Sequence, residues 1–543
     1  MIAEKWTYRA EEINAKHLAL VGNKAVRLGM LYQFGLPVPP FFTVTTEACS
    51  IYMKEGGLNQ TLSIQIAQQL KYLENVSGKV FGSNMSPPLL LSIRSGAAVS
   101  MPGMMDTLLN VGINDASVQS LADEFNSLPL AWNTYNRLVR RFGEIVYQVP
   151  SHLFDDAFEE NDLGNLEHEF FLQNIQSLKN LNCIYQNVIH KYCGEIFPQN
   201  CWNQLELAIK AVFLSWKSKR SRKYRQKVKI SDQLGTAVTV MTMVLGHINQ
   251  DSGTGIVFSR NPITGIAQPY GEFIANAQGE DIVSGVRTPN HIDVVAKMFP
   301  EIWNQLQSFI KRIEAIYKRP QEIEFTIQDK SIWILQTRDA QLTDEANLVA
   351  CVEMAQESII SKEIAIERTV SCHLTHLSQK VLFRNDFIQS NKILAKGIPA
   401  SSGIAVGKVC FDPEIVEQLG KQEDLILVRK NTSPDDLQGM LLAKGILTIN
   451  GGATSHAAVV ARQFGKPCIV GCGDFYINVD DCFLQIGHVR VDEGDYISID
   501  GSKGDIYLGC LPIEVKRTHL SKYEEIIFNW QSELSDNIVN LSD

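Results

Sequence analysis

TINGGATSHAAVVAR, residues 448–462, joins an apolar strand to a helix through two adjacent glycines. Thr454 and Ser455 suit the N-cap of that helix, which places His456 in its first turn. Backbone N–H groups and the positive end of the helix dipole attract a phosphate at such a position. A neutral imidazole is nucleophilic near neutral pH and can accept a phosphoryl group. The segment makes His456 a candidate phosphoryl acceptor, with an ordinary capping or surface histidine as the alternative.

Short strands rich in valine and isoleucine lie on both sides of this segment, with glycines between them. They are predicted at 404–411, 425–429, 445–449, 468–470 and 496–499. Strands of this length and spacing indicate a compact, β-rich α/β domain, which we place at residues 391–512. The last residues, 513–543, are predicted to form a polar helical tail.

The N-terminal part is predicted to combine a sheet with many helices. A helix is expected from Lys24 to Phe34, ended by Gly35. Strands are predicted at 41–45, 88–95, 236–245, 254–260 and 272–276, with a hairpin pairing 323–327 and 332–336. Helical periodicity dominates 113–230 and returns over 341–380. We therefore predict an α+β or α/β multidomain protein, with a first domain at 1–340 (helical insert at about 113–200) and a helical connector at 341–390.

The composition is that of a globular enzyme: 543 residues, 45% hydrophobic and 20% charged. A net charge of −10 disfavours a general nucleic-acid binder, which would need a basic face. The basic run at 217–225 is interpreted as a solvated surface, apart from Arg220. We expect no signal peptide and no membrane span. Eleven scattered cysteines indicate reduced thiols and a cytoplasmic location, and a metal site at Cys468 and Cys472 is disfavoured.

Several segments together resemble the pyruvate, phosphate dikinase family. GGATSHAAVVARQFGKPCIVG at 451–471 is similar to the phosphohistidine motif of the swivelling domain in enzymes that use phosphoenolpyruvate (PEP). The other matching segments are GLPVPPFFTVTTEAC at 35–49, SIRSGAAVSMPGMMDTLLNVGIND at 92–115, GTAVTVMTMVLGHINQDSGTGIVFSRNPITG at 235–265, YGEFIANAQGEDIVSGVRTP at 270–289, EFTIQDKSIWILQTRD at 324–339, GIPASSGIAVGKVCF at 397–411, TSPDDLQGM at 432–440 and DEGDYISIDGSKGDIYLG at 492–509. SMPGMMDT points to the phosphate-dependent dikinase rather than to the water-dependent PEP synthase.

The resemblance implies an ATP-grasp-like nucleotide domain whose cations surround a triphosphate. Lys24, Arg94 and Arg338 match the basic residues of the family at this site, and Arg137 and Arg220 match less closely.

Further residues follow from the same resemblance. Gly253, Thr254 and Gly255 could bring backbone N–H groups to phosphate, and Glu280 and Asp281 match a pair near the terminal phosphate. Glu324 and Gln336 match the ligands of Mg²⁺, an oxygen-ligand task, and a monovalent cation is a further cofactor candidate. Thr454 is a candidate regulatory position. Taken singly, each could also belong to an ordinary strand face or surface ion pair.

Two departures from the family pattern stand out. Asn23 and Ala25 replace glycines of its first nucleotide loop, so this loop is less free to wrap ATP. Only a short tail follows Cys510, so we expect the chain to lack the PEP/pyruvate barrel, which typically needs about 250 residues. The family's dimer contact lies mainly in that barrel, so we also expect a monomer.

The function implied by the resemblance is a dikinase half-reaction. ATP and inorganic phosphate would give AMP, pyrophosphate and phospho-His456, with His456, Arg94 and Arg338 as the catalytic residues. Transfer to pyruvate would require the barrel, which a separate PEP/pyruvate-binding protein could supply. Two alternatives stay open at this point: a phosphohistidine carrier that donates to another protein or small molecule, and a non-catalytic nucleotide-binding remnant.

Overall fold

The computed structural model describes residues 4–99, 101, 105–161, 174–284, 289–370, 378–382, 393–478, 481–517 and 522–540. Half of the SMPGMMDT segment, part of the helical insert and part of the predicted connector therefore lie outside the described residues. The chain divides into two compact units. The first comprises residues 1–249 and 333–336, and the second comprises 250–332 and 337–543.

The first unit is built on a five-stranded antiparallel sheet in the order β1-β2-β7-β5-β6. Its strands are β1 Thr7–Arg9, β2 Phe41–Val44, β3 Val80–Phe81, β4 Pro88–Leu89, β5 Leu91–Gly96, β6 Thr107–Val111 and β7 Ala237–Thr242, where β3 and β4 form a separate pair. Its helices are α1 Leu18–Gln33, α2 Thr46–Glu55, α3 Gln60–Ser77, α4 Val118–Phe125, α5 Leu128–Val146, α6 Ser151–Glu160, α7 Ile175–Cys193, α8 Cys201–Ser215 and α9 Lys219–Val228.

The core of the first unit lies between this sheet and its helices. Phe42, Leu91 and Val240 from the strands share one buried cluster with Phe142 and Phe213 from the helices. Strands β2 and β7 are buried along their whole length, as expected for strands covered on both faces. The predicted predominance of helices between residues 113 and 230 is confirmed.

The second unit contains two large sheets. The first has the order β10-β9-β8-β11-β12, and its strands are β8 Gly253–Phe258, β9 Tyr270–Ala275, β10 Asn290–His291, β11 Gln321–Gln328 and β12 Ser331–Asp339, of which residues 333–336 belong to the first unit. The helices that accompany this sheet are α10 Gly279–Ser284, α11 Asp293–Met298 and α12 Pro300–Tyr317. The predicted hairpin is therefore confirmed and is longer than expected.

The eight-stranded sheet of the second unit has the order β14-β24-β23-β16-β17-β18-β19-β15, with β16 to β19 parallel. The strands of this region are β13 Ser378–Leu382, β14 Ile393–Lys396, β15 Ile398–Ser401, β16 Ile404–Cys410, β17 Leu425–Arg429, β18 Gly445–Thr448, β19 Cys468–Val470, β20 Tyr476–Asn478, β21 Phe483–Ile486, β22 Val489–Asp492, β23 Tyr496–Asp500, β24 Asp505–Leu508 and β25 Ile513–Arg517. The helices are α13 Asp344–Gln356, α14 Lys362–Thr369, α15 Pro413–Leu419, α16 Leu437–Leu442, α17 His456–Gln463 and α18 Lys522–Asn540.

Two helical predictions for this unit hold only in part, because α13, α14 and α18 are present but each region also contains a strand. Residues 341–380 are not wholly helical, because strand β13 follows α13 and α14 and pairs with β25. The C-terminal tail is not simply a polar helix. It begins with β25, and Ile527 and Trp530 of α18 are buried against α13 and α14. Local periodicity missed both features because each depends on a partner distant in the chain.

Charged side chains inside the core also depart from the sequence prediction. The run at 217–225 is not a wholly solvated face. Arg225 is 1% exposed, pairs with Asp232 at 2.6 Å and lies 4.0 Å from the ring centre of Trp216. In the second unit, Arg260 is equally buried and contacts the carboxylates of Glu314, Glu353 and Glu357, joining α12 to α13.

Candidate nucleotide and phosphohistidine sites

The helix start around His456 has the predicted form. Ser455 is the N-cap residue of α17, and its side chain accepts a hydrogen bond from the N–H of Ala458. Gly451 has a φ of 92°, a left-handed conformation that suits glycine, and it turns the chain from β18 into the helix. His456 is therefore the first residue of α17, where the N–H groups have no partner within the helix.

The imidazole of His456 lies in a largely desolvated position. Its Nε2 is buried and has no hydrogen-bond partner within the described part of the chain. Burial lowers the pKa of His456, and the negative charge of Asp436 opposes that shift. The net lowering of the pKa by burial favours the neutral, nucleophilic ring at neutral pH.

A buried carboxylate contacts the loop that precedes His456. Glu272, on β9, is 6% exposed and accepts hydrogen bonds from the N–H of Ala453 and from the hydroxyl of Thr454. Gly452 gives the carboxylate room, because a methyl group at this position would overlap it. Burial raises the pKa of Glu272, and its bonds to Thr454 and Ala453 oppose that shift. The loop between β18 and α17 is thereby tied to the sheet that contains β9 to β12.

The predicted loop around Lys24 lies inside α1 in the first unit. Gly22 interrupts this helix with a φ of 78°, and a side chain there would meet the carbonyl oxygen of Gly96. Asn23 then donates its N–H to the carbonyl of Ala97 at 3.0 Å. Only Gly22 takes the left-handed conformation in this turn, so the turn forms although Asn23 and Ala25 replace the family's other glycines. Lys24 follows directly and is half-buried.

The other predicted cations of the first unit occupy different elements. Arg94, on β5, is half-buried and donates from Nη1 to the carbonyl of Leu335 at 2.9 Å. Arg137 lies on α5 and is half-buried. Arg220, at the start of α9, forms an ion pair with Asp106, the aspartate of SMPGMMDT. This ion pair links Arg220 to the SMPGMMDT segment, although the two are more than a hundred residues apart in the chain.

The predicted phosphate-binding glycines lie within a strand rather than in a loop. Gly253, Thr254 and Gly255 begin β8, between β9 and β11. Side chains at the two glycines would overlap the rings of Phe273 and Phe325, so packing already accounts for them. Their role toward phosphate stays a prediction.

The acidic pair at 280–281 lies on α10. Glu280 is half-buried, and Asp281 is buried and accepts the N–H of Gln278 at 2.8 Å, which closes the turn that starts the helix. Asp281 thus has a structural task at this helix start.

The hairpin β11–β12 carries the remaining predicted residues. Arg338 is ion-paired to Glu322, whose side chain is 2% exposed. Burial acts to lower the pKa of Arg338, but Glu322 and Glu324 outweigh it, so the pKa is raised and the guanidinium stays charged. Glu324 shares the strand face of Glu322, two residues away on β11, and is half-buried.

The predicted metal ligands are of a suitable chemical type. No group of three or more His, Cys, Asp or Glu side chains among the described residues could hold a metal ion. A Mg²⁺ that arrives with a nucleotide needs fewer protein ligands, because phosphate oxygens and water complete its shell. The carboxylate of Glu324 and the amide oxygen of half-buried Gln336 are hard oxygen donors that fit this role.

Comparisons with known proteins match both halves of the chain. A family described as "Pyruvate phosphate dikinase, AMP/ATP-binding domain" matches residues 18–81, 62–303 and 300–358. A second, "PEP-utilising enzyme, mobile domain", matches residues 421–504, which include His456. The chain belongs to the pyruvate, phosphate dikinase family. Its mixed α/β units thus comprise a nucleotide-binding domain and a mobile domain of that family.

Individual pyruvate, phosphate dikinases are similar over nearly the whole chain. The enzyme of Rickettsia typhi is 40% identical over 528 residues, which are 96% of this chain and 59% of the relative. The Clostridium symbiosum enzyme is 39% identical over 97% of this chain and 60% of its own length, and pyruvate, phosphate dikinase 2 of Zea mays is 41% identical over 92% and 57%. The chain spans about three fifths of the length of these relatives.

Three residues in this member of the dikinase family were not singled out from sequence. Glu272 contacts the histidine loop, Glu322 pairs with Arg338, and Arg462 is buried beside both strands of the hairpin. All three lie in or next to the matched segments. The available signal was a charged residue within an otherwise apolar strand or helix, and such residues are rarely buried without a partner.

Proposed function

We propose that this chain carries out the nucleotide half-reaction of a pyruvate, phosphate dikinase: ATP and orthophosphate react to give AMP, pyrophosphate and phospho-His456. The observation that carries the proposal is the half-buried imidazole of His456 at the start of α17, whose Nε2 is buried and unpartnered within the described residues and whose pKa is lowered by burial. In this state Nε2 has a lone pair available for attack.

The proposed first step forms a bond between Nε2 of His456 and the β-phosphorus of ATP. The bond from that phosphorus to the α,β-bridging oxygen breaks, and AMP leaves with the oxygen and its electron pair. In the second step an oxygen of orthophosphate attacks the terminal phosphorus, the β,γ-bridge breaks, and pyrophosphate leaves. The β-phosphoryl group stays on His456.

Cationic side chains offset the negative charge during both steps. We assign this role to Lys24, Arg94 and Arg338, and we assign the two ligands of the nucleotide's Mg²⁺ to Glu324 and Gln336. When bound, the metal neutralises phosphate charge. Transfer from phospho-His456 to pyruvate is a proposal drawn from the names of the relatives.

Labelling tests the proposal directly. ATP labelled in the β-phosphoryl group should leave acid-labile, base-stable label on the protein, and His456→Asn should abolish it. The phosphate-dependent reaction should yield AMP and pyrophosphate. Label that persists in the variant would exclude His456, and AMP formed with orthophosphate alone, regardless of added phosphate, would indicate a water-dependent reaction instead.

We expect Glu324→Ala and Gln336→Ala each to slow AMP formation about 10²- to 10³-fold, because each removes an oxygen ligand from the metal at the transition state. Ser331→Ala, at the exposed start of β12, is the matched control and should retain the wild-type rate. Single-turnover formation of AMP at saturating Mg²⁺ is the measurement. Wild-type kinetics in both ligand variants would place the metal elsewhere.

A further inference from the structure

Arg462 is a buried arginine whose hydrogen-bonding capacity is only partly used. It lies on α17, the helix that begins with His456, and is 5% exposed. Its Nη1 donates to the carbonyl of Ala400 at 2.9 Å, and its guanidinium lies 5.4 Å from the ring centre of Phe258. Nε and Nη2 are buried without a partner in the described ranges. Buried guanidinium donors are normally satisfied, so these two nitrogens indicate an acceptor that the described residues do not provide.

The charged groups around Arg462 are already committed to other partners. Glu322 is paired with Arg338, and the carboxylate of Glu272 is bonded to the loop before His456. Burial lowers the pKa of Arg462, the carboxylate of Glu322 opposes that shift, and the positive charge of Arg338 adds to it. Two guanidinium groups in one desolvated region are stabilised by an anion between them. The planar N–H fork of arginine fits two oxygens of a phosphate group.

We propose that Arg462 supplies a second guanidinium, from the histidine helix, for a phosphate oxyanion bound at Arg338. The assignment rests on the proposed function, since the oxyanion is either orthophosphate or the terminal phosphoryl group of ATP. Because Arg462 and His456 share α17, the oxyanion site is complete only when this helix packs against the sheet of β8 to β12. Phosphate binding is thereby coupled to the presence of the nucleophile.

The test uses the full chain with Arg462→Met, which keeps an unbranched apolar stem over Phe258 and removes the charge. Arg490→Met is the matched control, because Arg490 also covers a phenylalanine ring, that of Phe483 at 3.9 Å, but is exposed. Orthophosphate and ATP binding are each measured by calorimetry, in a His456→Asn background so that no phosphoryl transfer is required. Failure of the labelling experiment would therefore leave this test intact.

We expect the Kd of one ligand to rise at least about tenfold in Arg462→Met, the effect of losing a charge-assisted bidentate contact. A rise for orthophosphate alone identifies orthophosphate as the oxyanion, and a rise for ATP identifies its terminal phosphoryl group. Wild-type affinity for both ligands, or an equal loss in Arg490→Met, would overturn the proposal.

Arg462→Lys covers the case in which the methionine variant does not fold. It keeps the charge and the stem but lacks the fork, so the stabilisation of the folded protein by orthophosphate or ATP should be smaller than in the wild type. The readout is the increase in Tm at a fixed ligand concentration. An increase equal to that of the wild type for both ligands would also overturn the proposal.

Discussion

The reactivity of His456 depends on the pKa of its imidazole ring, because only the neutral ring is nucleophilic. Burial lowers its pKa from the ordinary value of 6.5, while Asp436 acts in the opposite direction. A depressed pKa means that the protonated, non-nucleophilic ring accumulates only at a pH below the usual range for histidine. The nucleophile is thus available across the physiological range.

We expect the rate of His456 labelling to rise with pH and to level off with a midpoint below 6.5, since the neutral ring is the reactive species. In Asp436→Asn the midpoint should move lower still, because the group that raises the pKa is lost. Both midpoints are measured by single-turnover labelling between about pH 5 and 8, because histidine side chains titrate in this range. A wild-type midpoint above 6.5 would contradict the expected direction.

The loop between β18 and α17 acts as an element whose shape depends on one close contact. Gly452 faces the carboxylate of Glu272 so closely that a methyl group would not fit. Glu272 lies on β9, whereas Gly452 lies in the loop that follows β18, a strand of the other large sheet of the second unit. The contact therefore joins positions far apart in the chain, with Ala453 and Glu272 separated by 181 residues. The position of His456 therefore depends on a side chain of the sheet formed by β8 to β12.

We expect Gly452→Ala to slow His456 labelling by at least about tenfold, because the added methyl group displaces the loop from Glu272. Glu272→Ala in the same chain should restore part of the rate by removing the clash, a coupling that a double-mutant cycle measures. Gly473→Ala is the matched control, since nothing lies within 4 Å of its added methyl group. Additive effects of the two substitutions would argue against the contact.

Helix α9 shows how a basic segment can be partly structural. Arg225 faces inward and donates to the carbonyl of Trp216 at 2.7 Å, whereas Arg222 on the same helix is exposed. We expect Arg225→Met to lower the free energy of unfolding by about 1–3 kcal/mol, the usual cost of leaving a buried partner unsatisfied. Arg222→Met should leave it unchanged. Urea unfolding of both variants is the measurement, and equal stability of the two would refute the assignment.

At the scale of the whole molecule, the C-terminal segment folds back onto an earlier part of the second unit. Strand β25 pairs with β13, and α18 packs on α13 and α14. The cluster combines Cys351 and Val352 with Ile527 and Trp530. Residues 513–517 and 522–540 are thus integral to the second unit.

We expect Ile527→Ala to cost about 2–5 kcal/mol of unfolding free energy, the range for truncating a fully buried aliphatic side chain. Phe528, its neighbour on α18, is 46% exposed, and Phe528→Ala should change stability by no more than about 0.5 kcal/mol. Thermal unfolding should therefore separate the two variants clearly. Similar Tm values would show that α18 contributes little to the unit.

Local sequence patterns made much of the candidate site predictable. The glycine turn, the N-cap at Ser455 and the alternation along β11 and β12 were all readable as local patterns, and the structure has them. The edge strands β14 and β15 and the neighbouring strand β24 were missed, because their short runs show no clear alternation. Strand β13 was predicted as helix, since its partner lies more than a hundred residues later in the chain.

The sequence by itself determined the family, the two kinds of domain and the place of His456 at a helix start, because these follow from local residue order. Only the tertiary structure decided which charges meet. Glu272 contacts the loop of Thr454, Glu322 pairs with Arg338, and Arg462 is buried with Nε and Nη2 unpartnered among the described residues. Buried charges must find partners or change their protonation, and those partners come from strands and helices far apart in sequence. No local pattern encodes that pairing, so it appears only when the sheets and helices are packed.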